Sequence, residues 1–326
     1  MTVFRRALLA LCGMLAAGSA PAQGQAQQYP TKPVRFIAPF PPGGTSDIIA
    51  RTVAQKLSDA FGRQFIVDNR GGAAGMIGYD LAAKSVPDGY TLLLSSMGGM
   101  VTNQFLYKHL PYDPINDFVH ISQLATAGQV LVIHPSVQAK SALELVNLAK
   151  AKPGQLTVGS GGVGTTQHVV AEVFQNATGI KLTHVPYKGS VLAVAATVAG
   201  EINLTFADMA PAVPHIKAGR LRGLAVTSEQ RSGALPEVPT MADAGIKGWF
   251  PQTWWAMSAP KGTPAPVVKR LNDAIAKAMK SQDVQEKFAN LGLTPLHSTP
   301  GHIVELVKVA MPRMGQVIKS AGIQPE

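Results

Sequence analysis

Two glycine-rich stretches hold the residue types best suited to gripping a small anion. Residues 156–168, LTVGSGGVGTTQH, place Gly159, Gly161 and Gly164 at the spacing G-x-G-x-x-G. Glycines let several backbone N–H groups converge, and at a helix start the macrodipole adds attraction for negative charge. Thr165 and Thr166 supply hydroxyls at the cap, and His168 a donor or acceptor one turn in. A dinucleotide site would also need an acidic residue at the end of the next strand, to hold the ribose. That strand ends in residues 183–187, THVPY, which contain none. An anion cradle and a tight turn that merely caps its helix remain as the two readings.

The same construction occurs a second time. Residues 38–47, APFPPGGTSD, run from a strand through Gly43 and Gly44 to Thr45, Ser46 and Asp47 in a first helical turn. Phe40 is held at the mouth of this loop by Pro41 and Pro42, a position that suits a large apolar side chain only if something packs on it. In open α/β sheets, ligands bind beyond the carboxyl ends of the strands. Two such ends facing each other would hold a small anion from both sides. Asp47 would then either be satisfied by N–H groups of its own turn or accept a hydrogen bond from a ligand amine or hydroxyl.

Other chemistry finds less support. The histidines include no pair at four-residue spacing on a shared helix face, since Pro300 separates His297 from His302, so no metal site is expected. Ser258 and Lys261 match Ser-x-x-Lys, but Pro260 prevents the helical turn that would join them. A serine hydrolase using Ser160 or Ser96 with His168 is the leading alternative. Ser160, however, has Val158 where a nucleophile elbow has glycine. No cofactor is expected.

The elements that must position these loops are legible as alternating strands and helices. Residues 34–38 form an apolar strand, and Ile49, Val53 and Leu57 share one face of a helix that Gly62 ends. Strands follow at 65–67 and 90–94, with a helix reaching Ala83 between them. The pattern restarts with a strand at 130–133, a helix capped by Ser141, a strand at 156–158 and a helix from Thr166 to Gly179. Residues 181–187, 202–206 and 221–227 read as further strands, and the tail from Pro264 as mostly helical. Continuous apolar strands alternating with helices imply parallel sheets covered on both faces. Trp249, Trp254 and Trp255 fit as core or lobe-interface anchors.

Composition bounds the setting. Arg5 and Arg6, an apolar run over 7–17 and the small residues Ala20-Pro21-Ala22 read as a secretory signal segment ending at Ala22 or Ala26. The single cysteine, Cys12, lies within it, so a mature chain would carry no thiol. The formal charge is +10; removing Arg5 and Arg6 from the 29 basic residues leaves 27 against 19 acidic ones, or +8. These cations are scattered singly and without aromatic interleaving, which argues against nucleic acid and for small anions. About 300 remaining residues suit two domains.

Six segments together resemble the substrate-binding receptors of the tripartite tricarboxylate transporters. They include YPTKPVRFIAPFPPGGTSDIIARTVAQKL, VDNRGGAAGMIGYDLAAKSVPDGYTLLL, LPYDPINDF, HVPYKGS and LAVTSEQRSGALPEVPTMADAG, in order from Tyr29 onward. The resemblance implies a two-lobe type II periplasmic binding protein fold, each lobe a mostly parallel sheet covered by helices. Lobe 1 would comprise 27–125 and 250–326, lobe 2 126–249, and 1–26 the signal segment. It implies a periplasmic monomer that binds a small carboxylate without catalysis and passes it to inner-membrane permease subunits, or to a signalling partner. By the same resemblance Phe40, Gly44, Thr45, Ser46, Asp47, Ser160, Gly161, Gly164, Thr165, Thr166 and His168 would surround one carboxylate. Ser95, Ser96, Met97, Tyr187 and Asp208 would face the far end of the ligand. Two departures from the family pattern stand out: His120 occupies a frequent proline position, and Asp208 comes one step later than in many members.

Overall fold

The computed structural model describes residues 29–248, 250–320 and 322–325; the expected signal segment and Trp249 lie outside them. The chain starts with β1 (Val34–Ala38), whose Phe36, Ile37 and Ala38 are fully buried. In α1 (Thr45–Phe61), Ile49, Val53 and Leu57 face the core, and Gly62 ends the helix at φ 63°, a left-handed conformation that costs glycine nothing. Next come β2 (Phe65–Asn69), α2 (Met76–Ala83) and β3 (Thr91–Ser96). A π-helical turn over Gly98–Thr102, α3 (Asn103–Leu106) and β4 (Phe118–Ala127) follow.

Gly128 alone separates β4 from β5 (Gln129–Ile133), which belongs to a second sheet. That half continues through α4 (Ala142–Ala151), β6 (Thr157–Ser160), α5 (Thr166–Thr178) and β7 (Thr183–Pro186). It ends with α6 (Ser190–Ala199), β8 (Leu204–Asp208), α7 (Met209–Lys217) and β9 (Arg222–Val226). The chain returns to the first sheet as β10 (Thr253–Pro260), then adds α8 (Ala265–Lys280), α9 (Gln282–Asn290), β11 (Thr294–Pro295) and α10 (Pro300–Ser320).

The first sheet has the order β11-β4-β10-β3-β1-β2 and the second β7-β6-β8-β5-β9. β1, β2 and β3 are mutually parallel, while β10 runs antiparallel between β3 and β4. β6, β7 and β8 are parallel, and β5 runs antiparallel between β8 and β9. Each sheet is thus mostly parallel in strand direction, with β10 and the short edge strand β11 reversed in the first and β5 reversed in the second.

Local sequence explains the element limits. The Ser141 hydroxyl accepts from the Glu144 N–H and starts α4 as expected, and Gly179 closes α5 at φ 65°. The strand expected at 90–94 lies at Thr91–Ser96, and that expected at 181–187 narrows to Thr183–Pro186. One apolar cluster joins the two halves. α10 places Ile303, Val307, Met314 and Ile318 in the same core as Leu93 and Met100 of the first half and Val169 and Phe174 of the second.

Candidate ligand-binding site

β1 delivers the chain to the loop 39–44, where Gly43 takes φ 86° and aims its N–H back at the Asp47 carboxylate, 3.0 Å away. The same carboxylate accepts from Arg51 Nε at 3.0 Å and Asn69 Nδ2 at 3.0 Å. Burial alone would raise the affinity of Asp47 for a proton, but these three donors outweigh it and hold the carboxyl below its ordinary range. Asp47 therefore braces the loop from behind and does not line the cavity described below. Its partners are one N–H of its own loop and the side chains of Arg51 and Asn69, the last reaching across from β2. Ser46 Oγ accepts from Trp255 Nε1 at 3.0 Å, tying α1 to β10. Thr45 is 1% exposed and its hydroxyl has no hydrogen-bond partner.

The second loop consumes its own glycine amides. Gly161 N–H donates to Gln167 Oε1 (2.9 Å), Gly162 N–H to Ser160 Oγ (3.1 Å) and Gly164 N–H to His168 Nδ1 (3.2 Å). The G-x-G-x-x-G spacing thus builds a self-satisfied turn, because a loop this enclosed must pair its own backbone groups. Thr165 Oγ1 donates to Gly162 O at 2.8 Å, so it does not cap α5 as expected. The amides left over are those opening α5, at Thr166 and Gln167, which have no carbonyl one turn back.

Sequence reasoning missed a third helix start. Gly189, at φ 127°, leads into α6, and its N–H donates to Gly161 O at 3.0 Å, locking the two loops of the second sheet together. The signal was present in the Lys188-Gly189-Ser190 turn after a strand. No side chain caps α1, α5 or α6.

All three uncapped starts open onto one cavity of about 410 Å³. From the first half it is lined by Phe40, Gly44, Thr45, Ser46 and Ser96, and from the second by Gly161, Gly164, Thr165, Thr166 and Asp208. Pro41, Pro42, Asn103, Gln167, Lys188 and Trp255 join them without having been singled out as ligand contacts, as do Ser190, Val191 and Leu192 of α6. Asp208 hydrogen-bonds with Ser190, Gln167 and Gln129, and burial, the largest influence, raises its affinity for a proton despite them.

Five other residues named from the sequence lie off this cavity. Ser95 Oγ is fully buried, 2.8 Å from Ser258 Oγ, because successive strand residues face opposite ways and Ser96 takes the cavity side. Met97 is in the apolar core and touches a separate cavity of about 740 Å³. Ser160 Oγ is enclosed within its loop and sits 2.7 Å from His184 Nε2; the partner expected for it in a hydrolase was His168. The His168 ring stacks on His184 at 4.0 Å, and burial together with that neighbour pushes its pKa down to about 4. Tyr187 is half-buried beside Gly159, its backbone N–H paired with Ser160 O. Among the tryptophans, Trp254 is a core residue, and Trp255 is both core and cavity wall.

Comparison with known proteins agrees with this geometry. The profile of the tripartite tricarboxylate transporter family receptor matches residues 49–323. Protein BugT of Bordetella pertussis is 37% identical over 97% of this chain and 97% of its own. The structure of R. palustris Rpa4515 with adipate superposes with a TM-score of 0.89 at 34% identity, covering 91% of this chain and all of that one. The periplasmic binding protein BugD gives a TM-score of 0.87 at 30% identity, with 91% and 100% coverage. With two sheets meeting at a cavity ringed by helix starts and these relatives along its length, the chain belongs to the tripartite tricarboxylate transporter receptors, a periplasmic family of solute-binding proteins and not of enzymes.

Proposed function

We propose that this protein is a periplasmic receptor that closes on one carboxylate group of a small organic acid and hands the solute to inner-membrane permease subunits. One observation carries the reading: the uncapped starts of α1, from the first half, and of α5 and α6, from the second, open onto one cavity. Helix-start amides favour negative charge, and a carboxylate can accept from several at once. Each charge-assisted hydrogen bond is worth about 1.5–3 kcal/mol. Four or five, less the cost of association, reach the roughly −8 kcal/mol of micromolar binding. Thr45, Ser46, Thr166 and Ser190 are the proposed contacts. The lobes, 27–125 with 250–326 and 126–249, would rotate together about their two crossings, as hinge-closing receptors do. The protein would act as a monomer. The bound adipate of Rpa4515 supports the ligand class.

A thermal-shift screen of organic acids tests this. Ligand at 100 times its dissociation constant stabilises by about 2.7 kcal/mol, a readily visible shift. A midpoint that moves with a neutral sugar or a metal ion, and with no carboxylate, would remove the reading.

A further inference from the structure

The cavity walls narrow the solute further, given the carboxylate pinch proposed above. Beside the helix-start amides the wall presents the apolar side chains of Phe40, Pro41, Pro42, Val191, Leu192 and Trp255, with Ser96, Asn103 and Thr253 as neutral polar members. Prolines have no N–H, and the indole N–H of Trp255 is already given to Ser46 Oγ. Asn103 is also spent as a donor. Its amide group donates to Ala74 O at 3.3 Å and to Tyr112 OH at 3.2 Å. Tyr112 OH in turn donates to Gly99 O at 2.7 Å, which fixes the orientation of the amide. What Asn103 has left is Oδ1, an acceptor.

Charge points the same way. Among the described residues lining the cavity, the side chains able to carry charge are Lys188, which is exposed, and Asp208. An ionised carboxylate moved against apolar walls without paired donors is strongly disfavoured. The hydroxyls of Thr253, which has no partner, and of Ser96 are neutral donors and no match for that charge. Asp208, hydrogen-bonded to Ser190 and Gln167, lies by the starts of α6 and α5 and supplies no positive charge to the far wall.

We infer that the solute carries one carboxylate on an apolar body, and that the cavity discriminates against a second carboxylate at the far end. Leu192 and Phe40 then contact the body of the ligand, and their role is specificity, not the pinch.

Matched six-carbon ligands test this by calorimetry on the purified chain: hexanoate, adipate and 6-aminohexanoate, with butanoate as the shorter homologue. Affinity should rise about fourfold for each methylene between butanoate and hexanoate. Adipate should bind at least tenfold more weakly than hexanoate. Adipate equal to or tighter than hexanoate would overturn the inference and leave the carboxylate receptor standing. 6-Aminohexanoate binding more tightly than hexanoate would also overturn it, by placing an ammonium on Asp208. If none of the four binds and the wider acid panel also fails, the carboxylate reading itself falls.

Discussion

Thr166→Pro isolates a single backbone N–H. Thr166 is the first residue of α5, following Thr165 at φ −66° and ψ 158°. Proline is well tolerated at a first helical position, because that N–H has no partner inside the helix and the ring presets φ. The extended Thr165 already has the conformation a residue before proline requires. The folded state should therefore keep its midpoint to within a few degrees. Binding should not survive so easily, because the amide removed is one of those left over by a loop whose glycine amides go to Gln167, Ser160 and His168. One charge-assisted hydrogen bond of about 1.5–3 kcal/mol corresponds to roughly 10- to 150-fold in affinity. Thr166→Ala is the control: it deletes the hydroxyl and keeps the N–H, so it should cost much less. Calorimetry with the tightest acid from the screen, alongside melting curves of both variants, reads the difference. A folded proline variant with wild-type affinity would show that α5 does not hold the anion.

Three further outcomes are expected. Gly161→Ala would place a methyl 3.0 Å from Ser190 N and 3.2 Å from Gly189 C, backbone that cannot swing aside. It should cost about 1–3 kcal/mol in urea unfolding and lower affinity at least tenfold; unchanged values in both would contradict the packing of the two loops. Asp47→Ala removes the acceptor of the Gly43 N–H and of one Asn69 amide hydrogen, the other still reaching Phe40 O, and should cost about 1–2 kcal/mol, whereas Arg51→Met, at a half-exposed partner, should cost under about 1 kcal/mol. Equal losses would mean that the ion pair, not the loop brace, matters. Burial pushes the pKa of His120 and of His168 from 6.5 down to about 4. Between those values the unfolded chain binds more protons, so stability is full above about pH 6.5 and falls as pH drops towards 4, by about 3 kcal/mol for each histidine. Denaturation midpoints that stay flat or rise from pH 7 to 4.5 would refute this.

The sequence made the scaffold legible where a period or a stop was written into it. α1 and α8 show apolar residues at four-residue steps, and Gly62 and Gly179 mark the ends of α1 and α5 through the left-handed conformation. α6 was hidden because SVLAVAATVA is apolar on nearly every side, which erases the helical period. β10 (TWWAMSAP) is buried at every position and shows no alternation that would mark it. Nothing in an apolar run says whether its neighbours are parallel, so the reversed β5 and β10 had to come from the pairing itself.

The site was legible at the level of loops and not of atoms, and the reason is competition for hydrogen bonds. Glycines at anion-cradle spacing announce that backbone amides converge; they do not say which side chains reach those amides first. Here Ser160, Gln167 and His168 are within the same thirteen-residue stretch and take them, just as Asp47 takes Gly43. The side-chain atoms that take those amides are therefore spent on the loop itself, while the helix starts just beyond remain open. Such a loop gains rigidity from its own bonds, and a rigid loop holds the next helix start in place without paying entropy again when the solute arrives. Substitutions at Ser160 or His168 should for that reason weaken binding through the position of α5, and should weaken it alike for every acid the cavity accepts.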